Sequence, residues 1–267
     1  MIVNIKRTTD LKKINTDIVL GTIYSVRNDV FSIEEIKHIV FSYKHKVYVN
    51  FDIIVHEDML TDVKKYLKEL PLEIAGIYFS DMGVYMIAKE LNLQGKLIYN
   101  PGTLTTNSLD VNSILALGIQ RIVLAREITL DEIKYINNHE INTEVLIHGK
   151  LNMFYSKRKL LSNYYKYRNI AGDYEKMSLV EETRNDKLAI IEDETGTHIF
   201  SSGIFNSYDE VKALHCEIRI DGYFLSDEEL LQEIETYEKI LTNQEVNYSK
   251  EGKNSGFYYK KTVYRKK

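Results

Sequence analysis

Cysteine is almost missing from this sequence: Cys216 stands alone among 267 residues. That excludes an internal disulfide, and it excludes an all-cysteine zinc or iron–sulfur site built by this chain alone. No run of eighteen apolar residues occurs, so no membrane-spanning helix is expected. The opening MIVNIKRTTDLKKI has no apolar signal-peptide core, which predicts a cytoplasmic location. No glycine-rich phosphate loop follows the first predicted strand, since Gly21-Thr-Ile-Tyr lacks the GxGxxG spacing. HExxH and GxSxG are also absent. His215 and Cys216 are adjacent, and neighbours on a strand point apart, so they do not form a nucleophilic dyad; a small buried thiol is the expected role of Cys216. Net charge is −4, so the surface as a whole does not attract nucleic acid. The last eight residues, KKTVYRKK, carry five of the 35 lysines and arginines, as a solubilising end or an RNA contact.

The chain does hold enough apolar residues, 44%, for one large core. Short apolar runs alternate with amphipathic ones. Strands are expected at 17–20, 47–55, 74–79, 96–99, 121–125 and 143–147, and helices at 32–43, 58–70, 83–91, 109–117 and 129–138. Ser32-Ile-Glu-Glu35, Thr129-Leu-Asp-Glu132 and Ser226-Asp-Glu-Glu229 read as capping boxes that open helices. Six strand–helix units with continuous apolar strands predict a parallel sheet covered by helices. An open doubly wound sheet is the alternative; a TIM-type (β/α) barrel, complete or distorted, with a C-terminal α+β extension, is preferred. Residues 1–162 are read as the barrel core, 163–206 as an insertion, and 207–267 as a remaining strand–helix unit with its extension. Within these, Asp193-Glu-Thr-Gly196 signals a β-hairpin between 188–191 and 198–201. Residues 207–214 are expected to be helical, 217–220 a strand, 226–241 a helix, and 257–264 a final strand.

Polar residues fall at the predicted strand ends: Asn50 and Asp52, Ser80 and Asp81, Asn100, Arg126 and Glu127, and His148. In a barrel, strand C-termini converge on one face, which is where sites are built. Arg126 and His148 could there hold a carboxylate or phosphate; as a structural alternative, Arg126 and Glu127 pair with neighbours and close the barrel end. The stretch from Glu144 to Ser162, EVLIHGKLNMFYSKRKLLS, runs from a buried strand into a basic, hydroxyl-rich segment.

That stretch resembles the signature of the collagenase-like peptidase family U32. The matching residues are Glu144, Val145, His148, Gly149, Ser156, Arg158, Leu160, Leu161 and Ser162. VYVNFDIIVHED, Asp81-Met-Gly83, LGIQRIVLAREITLDEI, EDETGT and IRIDG are similar to further motifs of the family, in the same order along nearly the whole chain. The short length and the NSGFYYKKTVY segment resemble the smaller of two paralogues of prephenate-dependent tRNA uridine hydroxylases, which make 5-hydroxyuridine at the wobble position. The resemblance thus implies a barrel, a tRNA substrate, prephenate as co-substrate and a larger, cysteine-bearing U32 paralogue as partner. It places Asn50, Asp81, Asn107, Arg126, Glu127, Glu144, His148, Ser156 and Arg158 as candidates for substrate binding. In the cysteine-bearing branches four cysteines hold a [4Fe–4S] cluster. Here Asn152 and Lys159 stand at the first two of those positions, and Leu179 and Thr183 match the later pair best. No cluster is therefore expected on this chain. Three readings follow: a cluster-free component of tRNA hydroxylation, a peptidase as the family name implies, or a non-catalytic binding or scaffold protein.

Overall fold

The computed structural model describes residues 1–26, 29–139, 142–170, 177–180, 182, 186–246, 248 and 254–260. The chain forms two compact units, one of residues 1–149 and 206–267, the other of residues 150–205. The boundary of the first falls at Gly149, thirteen residues before the expected end of the barrel core. The α+β part lies inside the sequence, and the residues after it complete the barrel.

The first unit runs β1 (Ile2–Asn4), β2 (Asp17–Gly21), α1 (Ile33–Ser42), β3 (Val47–Phe51), α2 (Leu60–Glu69), β4 (Gly76–Phe79) and α3 (Met82–Glu90). It continues through β5 (Leu97–Tyr99), α4 (Ser108–Leu115), β6 (Arg121–Val123), α5 (Leu130–Asn137) and β7 (Thr143–Gly149). The second unit holds β8 (Asn152–Ser156), α6 (Leu160–Arg168), β9 (Met177–Val180), β10 (Lys187–Asp193) and β11 (Gly196–Phe200). The chain returns through β12 (Phe205–Asn206) to β13 (Glu217–Asp221) and α7 (Asp227–Leu241).

Eight parallel strands close into a barrel in the order β1 to β7, then β13, which pairs with both β7 and β1. The strands are buried on both faces, as continuous apolar runs require. Side chains alternate inward and outward, and Ile2, Val19, Tyr48, Tyr78, Ile98 and Val123 meet as the inner packing layer. All three capping boxes form, with each Ser or Thr accepting from the N3 amide and each Glu accepting from the cap amide.

The second unit is a four-stranded antiparallel sheet, β8-β11-β10-β9, with α6 attached. The expected hairpin is present: β10 and β11 pair from Asp193↔Gly196 to Ala189↔Phe200. Asp193 accepts from the Thr195 amide and hydroxyl inside the turn. Two expectations fail, and one element is new. Residues 207–214 are turns with one short 3-10 segment, Val211–Ala213. Residues 257–260 form a turn instead of a strand, and the rest of that segment lies outside the described residues. The N-terminal strand β1 was not anticipated at all.

Candidate functional site at the barrel mouth

Asparagines stand at the inward positions at the ends of β1 and β3 and one residue past the end of β5: Asn4, Asn50 and Asn100. Asn50 lies two residues beyond Tyr48, and Asn100 two beyond Ile98, so both point to the same side as the inner layer. Asn50 is 2% exposed and Asn100 4%. Their side-chain oxygens have no hydrogen-bond partner among the described residues. A buried amide acceptor left without a donor costs roughly 1–3 kcal/mol, so two such oxygens at a barrel mouth favour a ligand that brings hydroxyl or N–H donors.

The loop after β2 positions the first of these. The Thr22 and Ser25 hydroxyls both donate to the Asn50 carbonyl, at 2.7 and 2.6 Å. Asp52, just past β3, accepts from the Val26 amide at 2.8 Å, and its carbonyl accepts from Ser80 Oγ. Asp221, at the end of β13, accepts from the Tyr223 amide. The rim is thus built largely of side chains whose own geometry is fixed by neighbouring backbone.

Beneath the mouth lies a buried ionic cluster. Glu144 is wholly buried and accepts from Tyr78 Oη at 2.7 Å and from Arg121 Nε at 3.0 Å. Arg219 Nε lies 2.8 Å from the other Glu144 oxygen, close enough to pair as an ion although off the N–H axis. The Arg121 guanidinium sits over Tyr48 and that of Arg219 over Tyr78, at 5.3 and 5.0 Å from the ring centres. Arg219 also donates to Asn4 Oδ1 at 3.4 Å, linking the cluster to the rim. Burial by itself would lower the Arg219 pKa, but Glu144, Tyr78, Asp221 and Asp52 outweigh it, and the guanidinium is held charged. Burial and the Glu144 charge hold Tyr78 well above its ordinary pKa, as a neutral phenol.

The candidates read from the sequence fall at different places in the fold. Asn50 is at the mouth. Asp81 is the N-cap of α3, accepting from Gly83, and it also accepts from the Val55 amide. Asn107 is the N-cap of α4, accepting from the amides of Leu109 and Asp110. Arg126, half-buried, and Glu127, exposed, follow the end of β6. Glu144 belongs to the buried cluster. His148 turns away from the mouth. The β13–β7 pairing steps from Arg219↔Leu146 to Ile220↔His148, skipping Ile147, and this bulge rotates the imidazole out toward α7. There it meets Tyr237 and Tyr208, with Nδ1 3.6 Å from Glu233 Oε2. Burial lowers its pKa to about 4, so the ring is neutral. Ser156 and Arg158 belong to the second unit, where Ser156 Oγ accepts from the Arg158 amide and the Arg158 side chain is exposed. Asn4, Tyr78, Arg121 and Arg219 escaped sequence reading. The signal that could have found the two arginines was a charge at an inward position of an otherwise apolar strand, RIV or EIRI.

In the second unit, Glu192 accepts from the amides of Leu161 and Ser162 and from the Ser162 hydroxyl, and Thr197 Oγ1 accepts from the Leu160 amide. Together they cap the N-terminus of α6. Burial pushes the Glu192 carboxyl up, but the donors from Ser162, Leu161 and Thr197 outweigh it and hold the pKa below its ordinary value. At the positions where the resemblance would place the cluster ligands of the cysteine-bearing branches, Asn152 lies on β8, Lys159 pairs with Glu194, and Leu179 is exposed on β9. Thr183 lies outside the described residues. An amide, an ammonium and an isobutyl group do not supply thiolates, so the residues present do not fit a [4Fe–4S] cluster. A cleft of about 540 Å³ opens at the other end of the barrel, beside Met1, Thr16 and the end of α7. It is far from the strand C-termini, and that face of such barrels serves stability.

The family model of peptidase family U32 matches residues 15–265. tRNA hydroxylation protein P2 of Bacillus subtilis is 32% identical, over 89% of this chain and 86% of that protein. tRNA hydroxylation protein P1 of the same organism is 30% identical over 54% of this chain, and the match spans 36% of the longer protein. Among solved structures, the U32 peptidase Mk0906 superposes with a TM-score of 0.50 at 13% identity, over 82% of this chain and 91% of that one. This last likeness is one of fold.

Proposed function

The chain belongs to peptidase family U32, and from that premise we propose that it serves 5-hydroxylation of tRNA wobble uridine, as a subunit or paralogue that binds no iron–sulfur cluster. The observation that carries this reading is the likeness to tRNA hydroxylation protein P2, which extends over most of both chains. Replacing the C5 hydrogen of uracil by a hydroxyl needs an oxygen atom and the removal of two electrons. This chain has a single cysteine, whose thiol burial pushes up to about 12, and no thiolate set for a redox cluster. In this reading the oxidation, with its oxygen source and electron acceptor, is the work of a partner, a larger cysteine-bearing relative. The same inert thiol weighs against a cysteine-peptidase reading of the family name, because the nucleophile in such chemistry is the thiolate.

The unpartnered oxygens of Asn50 and Asn100 favour a donor-bearing ligand at the mouth. A uracil N3–H or a ribose hydroxyl meets that requirement. Prephenate, a dicarboxylate, needs a cation. With His148 neutral and turned outward, Arg126 is the remaining cation of the sequence-level set in the barrel unit. Cytoplasmic location follows from the tRNA substrate, and no helix among the described residues is long and apolar enough to cross a membrane. The test is nucleoside mass spectrometry of tRNA from strains lacking this gene, alone and together with the larger relative. Wobble 5-hydroxyuridine should fall. An unchanged level in both strains rejects the proposal.

A further inference from the structure

Each of the other α-helices buries at least one side chain; α6 buries none. Leu160, Tyr164 and Tyr167 follow the i, i+4, i+7 spacing of a single helix face. That face looks outward, with Tyr164 55% and Tyr167 87% exposed. The segment 157–168 carries Lys157, Arg158, Lys159, Lys166 and Arg168 and no acidic residue, in a chain of net charge −4. Lys159 is paired with Glu194. Arg158, Lys166 and Arg168 are exposed and have no carboxylate partner among the described residues.

From this we infer that α6 and the turn leading into it form an RNA-binding surface. Exposed tyrosine faces interleaved with unpaired cations are what unpaired nucleotides require. Phosphates neutralise the cations, and bases stack on the rings. Arg158, Lys166 and Arg168 take phosphates, and Tyr164 and Tyr167 take bases of a single-stranded loop. The absence of any acid across twelve residues favours a polyanion over a protein surface of mixed charge. The surface is argued from its own residues; naming the RNA as a tRNA anticodon arm rests on the function proposed above.

The experiment is fluorescence anisotropy of the full chain with a labelled anticodon stem-loop, repeated across a salt series. The Tyr164→Ala/Tyr167→Ala pair should weaken binding roughly tenfold or more, from the loss of stacking. The Arg158→Gln/Lys166→Gln/Arg168→Gln triple should lower the slope of log affinity against log salt by about 2, at roughly 0.7 per phosphate contact. Because no α6 side chain is buried, both variants should keep the wild-type circular dichroism and melting temperature. The inference is overturned if the wild-type chain binds no RNA, or if binding is indifferent to both variants. It is equally overturned if the variants block association with the larger U32 relative while RNA binding stays intact, since the helix is then a protein interface. Should RNA binding fall as expected while wobble 5-hydroxyuridine is unaffected by gene deletion, the surface stands and the functional reading falls.

Discussion

Glu144 can keep its charge inside the barrel because Tyr78, Arg121 and Arg219 converge on it. Removing it strands two buried guanidiniums. Glu144→Ala should therefore destabilise the protein by about 3–5 kcal/mol, the usual penalty for breaking a buried ion pair from one side. Chemical denaturation measures this, and a loss under about 1 kcal/mol contradicts the network's role. His148 supplies a second prediction. Its pKa is about 4 when folded and near 6.5 as a free imidazole. Below pH 6.5 the unfolded chain takes up a proton that the native ring refuses, so stability falls as pH drops from 6.5 toward 4, by at most about 3 kcal/mol. Glu233, whose carboxyl burial raises, titrates in the opposite sense, so the comparison with His148→Phe isolates the histidine. Melting temperature should fall less steeply with acidification in that variant than in wild type; parallel curves argue against the assignment. Asn50 was legible as a polar residue of an apolar strand, and the inward side it takes follows from its position two residues beyond Tyr48. Sequence reading could not place His148, since the bulge that turns the ring out arises between β7 and β13, which lie more than sixty residues apart.

Elements with a strong local period were legible. The three capping boxes and the β10–β11 hairpin formed because their hydrogen bonds close within a few residues. β1 was missed because three residues carry too little pattern, and its pairing with β2 and β13 supplies what the sequence does not. β8 was hidden by the basic run that follows it. Its partner is β11, some forty residues on, and the meeting depends on Gly196. Gly196 has φ +132°, and a Cβ there would lie 2.1 Å from the Ser156 carbonyl oxygen. Gly196→Ala should cost roughly 2 kcal/mol or more, because backbone must move and the angle is strained for an L side chain. Hydrogen exchange should locate the loss in β8, β10 and β11, with the barrel strands protected as before. A uniform loss over both units, or none, contradicts that local account.

For the whole molecule, the question is whether the fold relies on a cluster of the kind the resemblance implies for the cysteine-bearing branches. The fold needs none: the eight strands come from residues 1–149 and 206–267, and the barrel interior combines the apolar inner layer with the ion pairs of Glu144, Arg121 and Arg219 at the same level. In the second unit, Glu192 and Thr197 hold the N-terminus of α6 by hydrogen bonds, and Lys159 is engaged with Glu194. Hydrogen bonds and an ion pair within the chain therefore hold this segment, whereas a protein that relies on metal for its fold loses structure with the metal. Anaerobic treatment of the purified chain with iron and sulfide should leave it colourless after desalting, with no change in melting temperature. On the proposed function, the same treatment of a larger cysteine-bearing relative should give a brown protein, and mixing the two should let this chain co-elute with that colour. A chain that acquires iron and sulfide by itself contradicts the donor-set argument. A brown partner that never retains this chain removes the heteromeric route while leaving the fold argument untouched.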